Sequence, residues 1–291
     1  MCDRENLAEW AQSGNSDWSV NRRQFSAMAA MGALSACATT RAAEPPLAED
    51  MVSVTTPDGQ MDAFYVRPAS GKHPAILTWP DIAGLREAFK VMARRLAGQG
   101  YAVLVANHYY RSGKAPLFKD FPDFQANDGF AKAGEMRKKM GPDAIMRDAS
   151  AAIAWLDARD EVDTSRGVGT NGYCMGGPFT VFTAAAVPGR VRAAASLHGA
   201  GLVKDDDPQS PHKLLDRTKA GYLFAIAQND DEKDPKAKTE LRAATKAAGR
   251  PAEIEVYPAN HGWTVIDSPS YDQVAAERAW TRMSALFETL S

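Results

Sequence analysis

A glycine-bracketed cysteine constrains this chain more than any other stretch does. The sequence VGTNGYCMGGP at residues 168–178 runs from a short apolar strand into a segment rich in Phe, Val and Ala that is typical of a helix. A sharp strand-to-helix turn holds its central residue in a strained conformation, so only small residues fit two positions before and after it. Gly172 and Gly176 occupy those positions around Cys174. The pattern predicts a nucleophile elbow with cysteine where serine is usual.

Two interpretations of Cys174 follow from this stretch. The partial positive charge at a helix N-terminus favours a thiolate, so Cys174 would be a nucleophile. Alternatively it is a buried structural cysteine beside a glycine-rich turn, because free cysteine is among the most buried residue types. The residues at the ends of the other strands bear on this choice.

Strands and helices alternate along most of the chain. Apolar runs predict strands at 74–79, 101–106, 168–173, 193–197, 222–227 and 253–257. Most of the segments between them, and the segment from about residue 271, have apolar residues at helical spacing and are predicted to be helices. Strand–helix–strand units form parallel, right-handed crossovers. The pattern therefore predicts an α/β fold with a doubly wound, mostly parallel sheet and helices on both faces.

One domain accounts for residues 51–291, because a chain of this length with 45% hydrophobic residues can bury one large core. A hairpin around Pro57-Asp58-Gly59 is predicted to open it at a sheet edge. Residues 42–50 have the composition of a polar linker. Residues 108–141 are too long for a plain connection and are predicted to pass over the site.

Polar residues follow several predicted strands, at the edge where ligands bind in such sheets. Residues 80–84 (PDIAG), Cys174, residues 228–231 (QNDD) and residues 260–263 (NHGW) all stand there. The order nucleophile, acid, histidine is the chain order of the α/β-hydrolase triad. It predicts a triad of Cys174, Asp230 and His261. Asp231 and Asp234 stay open as alternative acids, although acids that lead a helix need no catalytic role.

The chain resembles the dienelactone hydrolase family, a cysteine-using branch of the α/β-hydrolases. The shared residues are GYCMGG at 172–177, DIAG at 81–84, YYR at 109–111, Asp230, and HG at 261–262. They extend over the predicted domain. The resemblance implies the α/β-hydrolase fold and the hydrolysis of lactones or activated carboxylic esters, with a small-molecule ester or lactone as the partner.

The resemblance also assigns roles to individual residues. It implies that Cys174 is the nucleophile, His261 the base and Asp230 its orienting acid. The backbone N–H groups of Ile82 and Met175 would form the oxyanion hole.

Further residues are candidates for binding the substrate. Asp81 takes the place of a family glutamate that neighbours the thiol and helps control its ionisation. Arg111 matches an arginine that binds the substrate carboxylate. Tyr173, His198 and Trp263 complete the set, although His198 is equally compatible with a structural, hydrogen-bonded role.

Two departures from the family pattern limit the resemblance. Val265 stands where the family has a second carboxylate-binding arginine, so a clamp of two arginines is absent. Asp81 is one methylene shorter than the family glutamate, which changes how closely its carboxylate can approach the thiol.

The expected chemistry is acyl transfer through a thioester acyl-enzyme. No cofactor is required, and the five histidines lack metal-ligand spacing, so no metal site is predicted. Two alternatives are a non-catalytic ligand-binding protein on the same scaffold and a thiol redox protein in which Cys174 forms a sulfenate. The complete set of nucleophile, acid and histidine argues against the first. The second lacks a resolving cysteine.

Charge and hydropathy exclude other classes of function. The formal net charge of −2 and the absence of a basic cluster give no reason to expect nucleic-acid binding. No stretch of eighteen apolar residues occurs, so no membrane span is predicted.

Residues 1–45 have the character of a signal segment and linker. NRRQFS at 21–26 precedes a mildly apolar run and resembles a twin-arginine export signal. LSAC at 34–37 resembles a lipoprotein cleavage box, whereas Ala36-Cys37-Ala38 also fits an ordinary cleavage site. The predicted location is therefore periplasmic or lipid-anchored. A cytoplasmic leader is the alternative, because residues 1–21 are long and acidic for a signal.

Export would leave Cys174 as the sole thiol not removed or acylated. Cys2 would leave with the signal, and Cys37 would be removed or lipidated, so no intramolecular disulfide is expected. A lone thiol in an oxidising compartment is an oxidation liability, so its presence is easier to understand if chemistry needs it.

A fusion of residues 1–45 to a folded reporter is expected to reach the bacterial periplasm only while Arg22 and Arg23 are intact. The control is the charge-preserving double change of Arg22→Lys with Arg23→Lys, because this signal is read by arginine identity rather than charge. Reporter fractionation measures the outcome, and normal export of the double variant contradicts the prediction. Lipid labelling that Cys37→Ala abolishes would identify the anchored form.

Overall fold

A computed structural model describes residues 45–290, and within them eight strands form one sheet. The sheet order is β1-β2-β4-β3-β5-β6-β7-β8, antiparallel from β1 to β4 and parallel from β4 to β8. The strands are β1 Leu47–Thr56, β2 Gly59–Pro68, β3 Ala75–Trp79, β4 Ala102–Ala106, β5 Val168–Tyr173, β6 Val191–Leu197, β7 Gly221–Ala227 and β8 Ala252–Tyr257. The mostly parallel sheet predicted from the alternation is confirmed.

Helices cover both faces of this sheet. They are α1 Glu87–Gly98, α2 Phe121–Ala126, α3 Gly129–Arg137, α4 Pro142–Asp157, α5 Gly177–Ala186, α6 Gln228–Lys233, α7 Ala237–Ala247 and α8 Gln273–Glu288, with 3-10 turns at Cys174–Gly176 and Pro211–Arg217. Apolar side chains of α4, α5 and α7 share one buried cluster, and those of α1 and α8 share the other. α1, α4, α7 and α8 each bury one side, whereas α5 is buried almost all round. Because both faces of the sheet are apolar, helices have to cover each of them.

The opening hairpin is present, but its first strand begins earlier than the sequence predicts. Residues 47–50 pair with residues 65–68, although their composition predicts a linker. Most side chains of β1 are exposed or half-buried because β1 lies at the sheet edge. Backbone pairing, rather than side-chain burial, makes this segment a strand, so hydrophobicity does not reveal it.

The long excursion contains α2 and α3 and has a small aromatic core of its own. Phe124 packs against Phe118, Phe121 and Phe130 with ring centroids 5.0, 5.3 and 4.8 Å away. The Phe121 backbone N–H donates to a carboxylate oxygen of Asp267, 3.1 Å away, which ties the excursion to the segment before α8.

The predicted signal segment lies outside the described residues, apart from its last position. Among the helices described, none has the length and apolar character that crossing a membrane requires.

Candidate active site

Cys174 sits at the sharp turn between β5 and α5. Its φ is +54°, a left-handed conformation that residues other than glycine seldom adopt. A Cβ on Gly172 would lie 2.0 Å from the Gly176 carbonyl oxygen, and one on Gly176 would lie 2.5 Å from that of Trp79. Only glycine fits at both positions, as the elbow predicts. Cys174 forms no disulfide within the described residues, and it is 4% exposed.

The segment after β6 holds the backbone of Cys174 from both sides. The Cys174 N–H donates to Nδ1 of His198 at 3.1 Å. Its carbonyl oxygen accepts from the Ala200 N–H at 3.3 Å. The close approach needs glycine again, because a Cβ on Gly177 would meet the Cα of Gly199 at 2.4 Å.

His261 and Asp230 meet after β8 and β7, respectively. Nδ1 of His261 lies 2.6 Å from a carboxylate oxygen of Asp230. The His261 backbone N–H donates to the Asn229 side-chain oxygen at 2.9 Å, which fixes the loop. A carboxylate at Nδ1 favours the tautomer with its proton there and leaves Nε2 with a lone pair for base chemistry.

The rival acid Asp231 has a different partner. Its carboxylate lies 2.5 Å from Nζ of Lys238 on α7. The structure therefore brings Asp230, rather than Asp231, to the histidine.

A cavity of about 260 Å³ borders the elbow. Ile82 and Met175, the residues with the predicted oxyanion-hole N–H groups, both line it. Phe179 and Phe182 of α5 and Ile145 of α4 contribute apolar walls. This mixture of apolar walls and few polar groups is typical of a small-molecule site.

The carboxylate of Asp81 forms an ion pair with Arg86. Its two carboxylate oxygens accept from the Arg86 guanidinium at 2.7 and 2.9 Å, and one also accepts from the Ala83 N–H at 2.9 Å. The same guanidinium also donates two hydrogen bonds to the carboxylate of Asp267, each 2.7 Å long. Burial raises the pKa of the Asp81 carboxyl, and the neighbouring guanidinium opposes that shift. These contacts shape the loop that carries Ile82. An influence of the Asp81 carboxylate on the thiol stays a prediction from the resemblance.

Arg111 forms ion pairs with two carboxylates. Its guanidinium donates twice to Asp148 at 2.8 Å and once to Asp58 at 2.5 Å. The Asp148 side chain is fully buried, and burial raises the pKa of its carboxyl against the effect of Arg111. Tyr110 adds a hydrogen bond to Asp148 at 2.8 Å. Arg111 is not among the residues that line the cavity, and its contact with a substrate carboxylate stays a prediction from the resemblance.

Tyr173 and Trp263 lie behind the site rather than in it. Tyr173 is 1% exposed, and its ring packs 5.3 Å from Phe89. Trp263 is completely buried, with its ring stacked 5.2 Å from Tyr257. Both side chains are packed in the buried core, and a contact of either one with substrate stays a prediction.

Sequence reasoning missed two cations at the cavity. Arg137 of α3 and Lys204 of the β6–β7 connection line it, together with Asp207. Both cations are exposed, and within residues 45–290 neither side chain forms an ion pair. Their sequence context is that of ordinary surface residues, and only the path of two long connections brings them together.

The structure also brings together three possible metal ligands that the spacing of residues in the sequence does not predict. One atom each of Asp205, His212 and Glu240 lies within 4.8 Å of the others. Exposed acidic groups often lie this close without an ion, so the geometry alone assigns no metal.

Comparisons with known proteins match this chain to one family. The model of the "Dienelactone hydrolase family" matches residues 61–291. A protein of Methylorubrum extorquens named "Putative carboxymethylenebutenolidase" is 30% identical over 241 residues, covering 81% of this chain and 79% of that protein. A Bradyrhizobium protein named "Probable 2-oxo-3-(5-oxofuran-2-ylidene)propanoate lactonase" is 25% identical over 239 residues, covering 80% and 91%.

Solved structures share the fold of this chain. The crystal structure of a "Putative Dienelactone Hydrolase" from Klebsiella pneumoniae is similar with a TM-score of 0.71 and 27% identity, covering 84% of this chain and 99% of that one. An acylaminoacyl peptidase of Pyrococcus horikoshii, at 16% identity and a TM-score of 0.60, covers 84% of this chain and 42% of that chain, and shares the fold.

Replacing Arg111 by methionine is expected to lower the free energy of unfolding by about 3–5 kcal/mol, because it strands the buried carboxylate of Asp148. Urea denaturation measures the change. Arg137→Met is the matched control, since that arginine has no ion-pair partner in the described chain, and its effect should stay within about 0.5 kcal/mol. Equal stability of both variants would contradict the structural role of Arg111.

Proposed function

This chain belongs to the dienelactone hydrolase family, and on that premise we propose that it hydrolyses lactones or activated carboxylic esters through Cys174, His261 and Asp230. The observation that carries the proposal is the 2.6 Å contact of Asp230 with Nδ1 of His261, at the same sheet edge as the strained Cys174 elbow. A scaffold that only bound a ligand would have no use for an oriented histidine at the same sheet edge as a cysteine with a strained backbone.

The proposed reaction begins with proton transfer from the Cys174 thiol to Nε2 of His261. The thiolate attacks the carbonyl carbon, and the N–H groups of Ile82 and Met175 stabilise the oxyanion of the tetrahedral intermediate. Collapse breaks the bond to the alkoxide, which takes the proton from His261 and leaves a thioester on Cys174. In a lactone the alkoxide stays attached to the acyl chain.

Water completes the cycle. His261 takes a proton from water as it attacks the thioester, and the thiolate departs from the second tetrahedral intermediate to release the acid. Asp230 stabilises the imidazolium at both stages. Because a thiolate is itself a good leaving group, the first intermediate partitions forward only when the departing alkoxide is also stable. This favours enol-lactones and activated esters over amides.

The cavity suggests an acidic substituent on the substrate. Lys204 and Arg137 line the cavity and have no ion-pair partners in the described chain. Arg111, the arginine that the resemblance assigns to the substrate carboxylate, is instead ion-paired with Asp148. One relative carries a name that specifies a lactone with a propanoate group. We therefore place the carboxylate contact at the rim formed by α3 and the β6–β7 connection, instead of at Arg111.

Export remains part of the proposal. The motif at 21–26 supports a periplasmic or lipid-anchored protein, and the fusion experiment above tests it.

Cys174→Ala is expected to abolish hydrolysis of p-nitrophenyl acetate and of a carboxylated enol-lactone without loss of fold. Asp230→Asn should lower kcat by roughly 10²–10⁴-fold, because the imidazolium loses its partner and its tautomer. The matched control Asp231→Asn, which affects only an ion pair with Lys238, should stay near the parent rate. Full activity of Cys174→Ala would remove the proposed mechanism.

Lys204→Met is expected to raise KM for a carboxylated lactone by about tenfold to a hundredfold, the worth of one charge-assisted contact. Neutral esters of the same size should change little, because they make no such contact. Initial-rate kinetics on both substrates give the comparison, with Lys213→Met as a lysine control outside the cavity lining. An equal effect on neutral and anionic substrates would argue against the rim contact.

A further inference from the structure

The sequence leaves His198 between a substrate contact and a structural histidine, and the structure shows a buried, hydrogen-bonded ring whose partner is the backbone of Cys174. The residue is 1% exposed and follows β6 directly. Its Nδ1 accepts from the backbone N–H of Cys174 at 3.1 Å, and its Nε2 lies 2.8 Å from Oγ1 of Thr264. Both ring nitrogens are therefore engaged within the protein.

The first contact determines the tautomer. A backbone N–H can only donate, so Nδ1 must carry a lone pair. A neutral ring then carries its proton on Nε2 and donates it to the Thr264 hydroxyl. Protonation of Nδ1 would place two donors against each other and break the contact with Cys174.

The backbone geometry explains why a side chain is needed there. In the ladder between β5 and β6, Tyr173 pairs with Leu197, and the next residues along are Cys174 and His198. Both have positive φ, +54° and +40°, so neither strand continues. The imidazole supplies the acceptor that the interrupted ladder no longer provides to the Cys174 N–H.

The surroundings keep this ring uncharged. Its centroid lies 5.0 Å from that of His261 and 5.1 Å from that of Trp263. Burial lowers the pKa of His198 well below its usual range, and the neighbouring His261 lowers it further. An uncharged His198 adds no second cation beside His261 when the base takes its proton.

We propose that His198 is a positioning residue for the nucleophile, whose unprotonated Nδ1 holds the strained amide of Cys174 and so keeps the thiol in reactive geometry. This inference rests on the proposed hydrolase function. His198 would act through the backbone of Cys174 and would contact neither substrate nor the reacting atoms.

Two substitutions separate the two ends of the ring. The side-chain oxygen in His198→Asn is the same number of bonds from Cβ as Nδ1 and can accept from the Cys174 N–H. His198→Gln places its terminal polar atoms at the distance of Nε2, near Thr264, and leaves the N–H without this acceptor. Both variants are uncharged, and thermal unfolding reports any difference in stability, because asparagine tolerates positive φ better than glutamine.

The expected result is that His198→Gln lowers kcat by about tenfold to a hundredfold with KM within about threefold, as a small displacement of a reacting group does. The His198→Asn variant should regain at least about tenfold of that loss. The rate at which iodoacetamide alkylates Cys174 should follow the same order: fastest in the parent protein, slower in His198→Asn and slowest in His198→Gln. Equal kcat and equal alkylation rates in the two folded variants would overturn the proposal, as would parent-like rates in His198→Gln.

A spectroscopic measurement tests the contact without any turnover. In ¹⁵N-labelled protein, long-range histidine spectra should show His198 as the Nε2–H tautomer, and His198→Gln should shift the Cys174 amide proton. A Nδ1–H tautomer would overturn the inference. If the parent protein hydrolyses no ester or lactone, the proposed function fails, whereas the alkylation order and the tautomer still decide the role of His198.

Discussion

The left-handed backbone at Cys174 is the constraint on which the rest of the site depends. A nucleophile at the tip of a strand-to-helix turn is accessible only if the chain reverses within a few atoms, and a side chain at Gly172 or Gly176 would collide with backbone. The strain persists because packing from several elements over-determines it. β6 and the segment after it supply the acceptor and the donor that hold the Cys174 peptide in place.

Charge at this edge of the sheet mostly serves structure. Arg86 joins Asp81 to Asp267, and Arg111 joins Asp148 to Asp58, so two arginines near the site each bind two carboxylates. A charged side chain that is buried needs an oppositely charged partner. The ion pairs of Arg86 and Arg111 connect the loop before α1 and the start of the excursion to residues that are distant in the sequence. Arg137 of α3 and Lys204 of the β6–β7 connection line the cavity and have no ion pair within the described part of the chain.

Sequence reasoning was strongest where chemistry depends on chain order and on small residues. The elbow, the acid after β7 and the histidine after β8 could be predicted because parallel strands deliver their carboxyl ends to one edge. It was weakest for long side chains. A matching motif places Arg111 at the right position of the fold, but a flexible guanidinium pairs with whichever carboxylates the tertiary structure brings near, and these lie in the opening hairpin and α4.

The sequence by itself determined the alternation of strands and helices, the glycine-bracketed turn and the order of Cys174, Asp230 and His261, because periodicity, steric size and chain order are local properties. Only the tertiary structure decided that Asp230 rather than Asp231 meets the histidine, that Asp81 and Arg111 are committed to ion pairs, and that His198 receives the Cys174 N–H. These depend on rotamers and on loop paths between residues distant in the chain. Such contacts are set by packing, which no local pattern encodes.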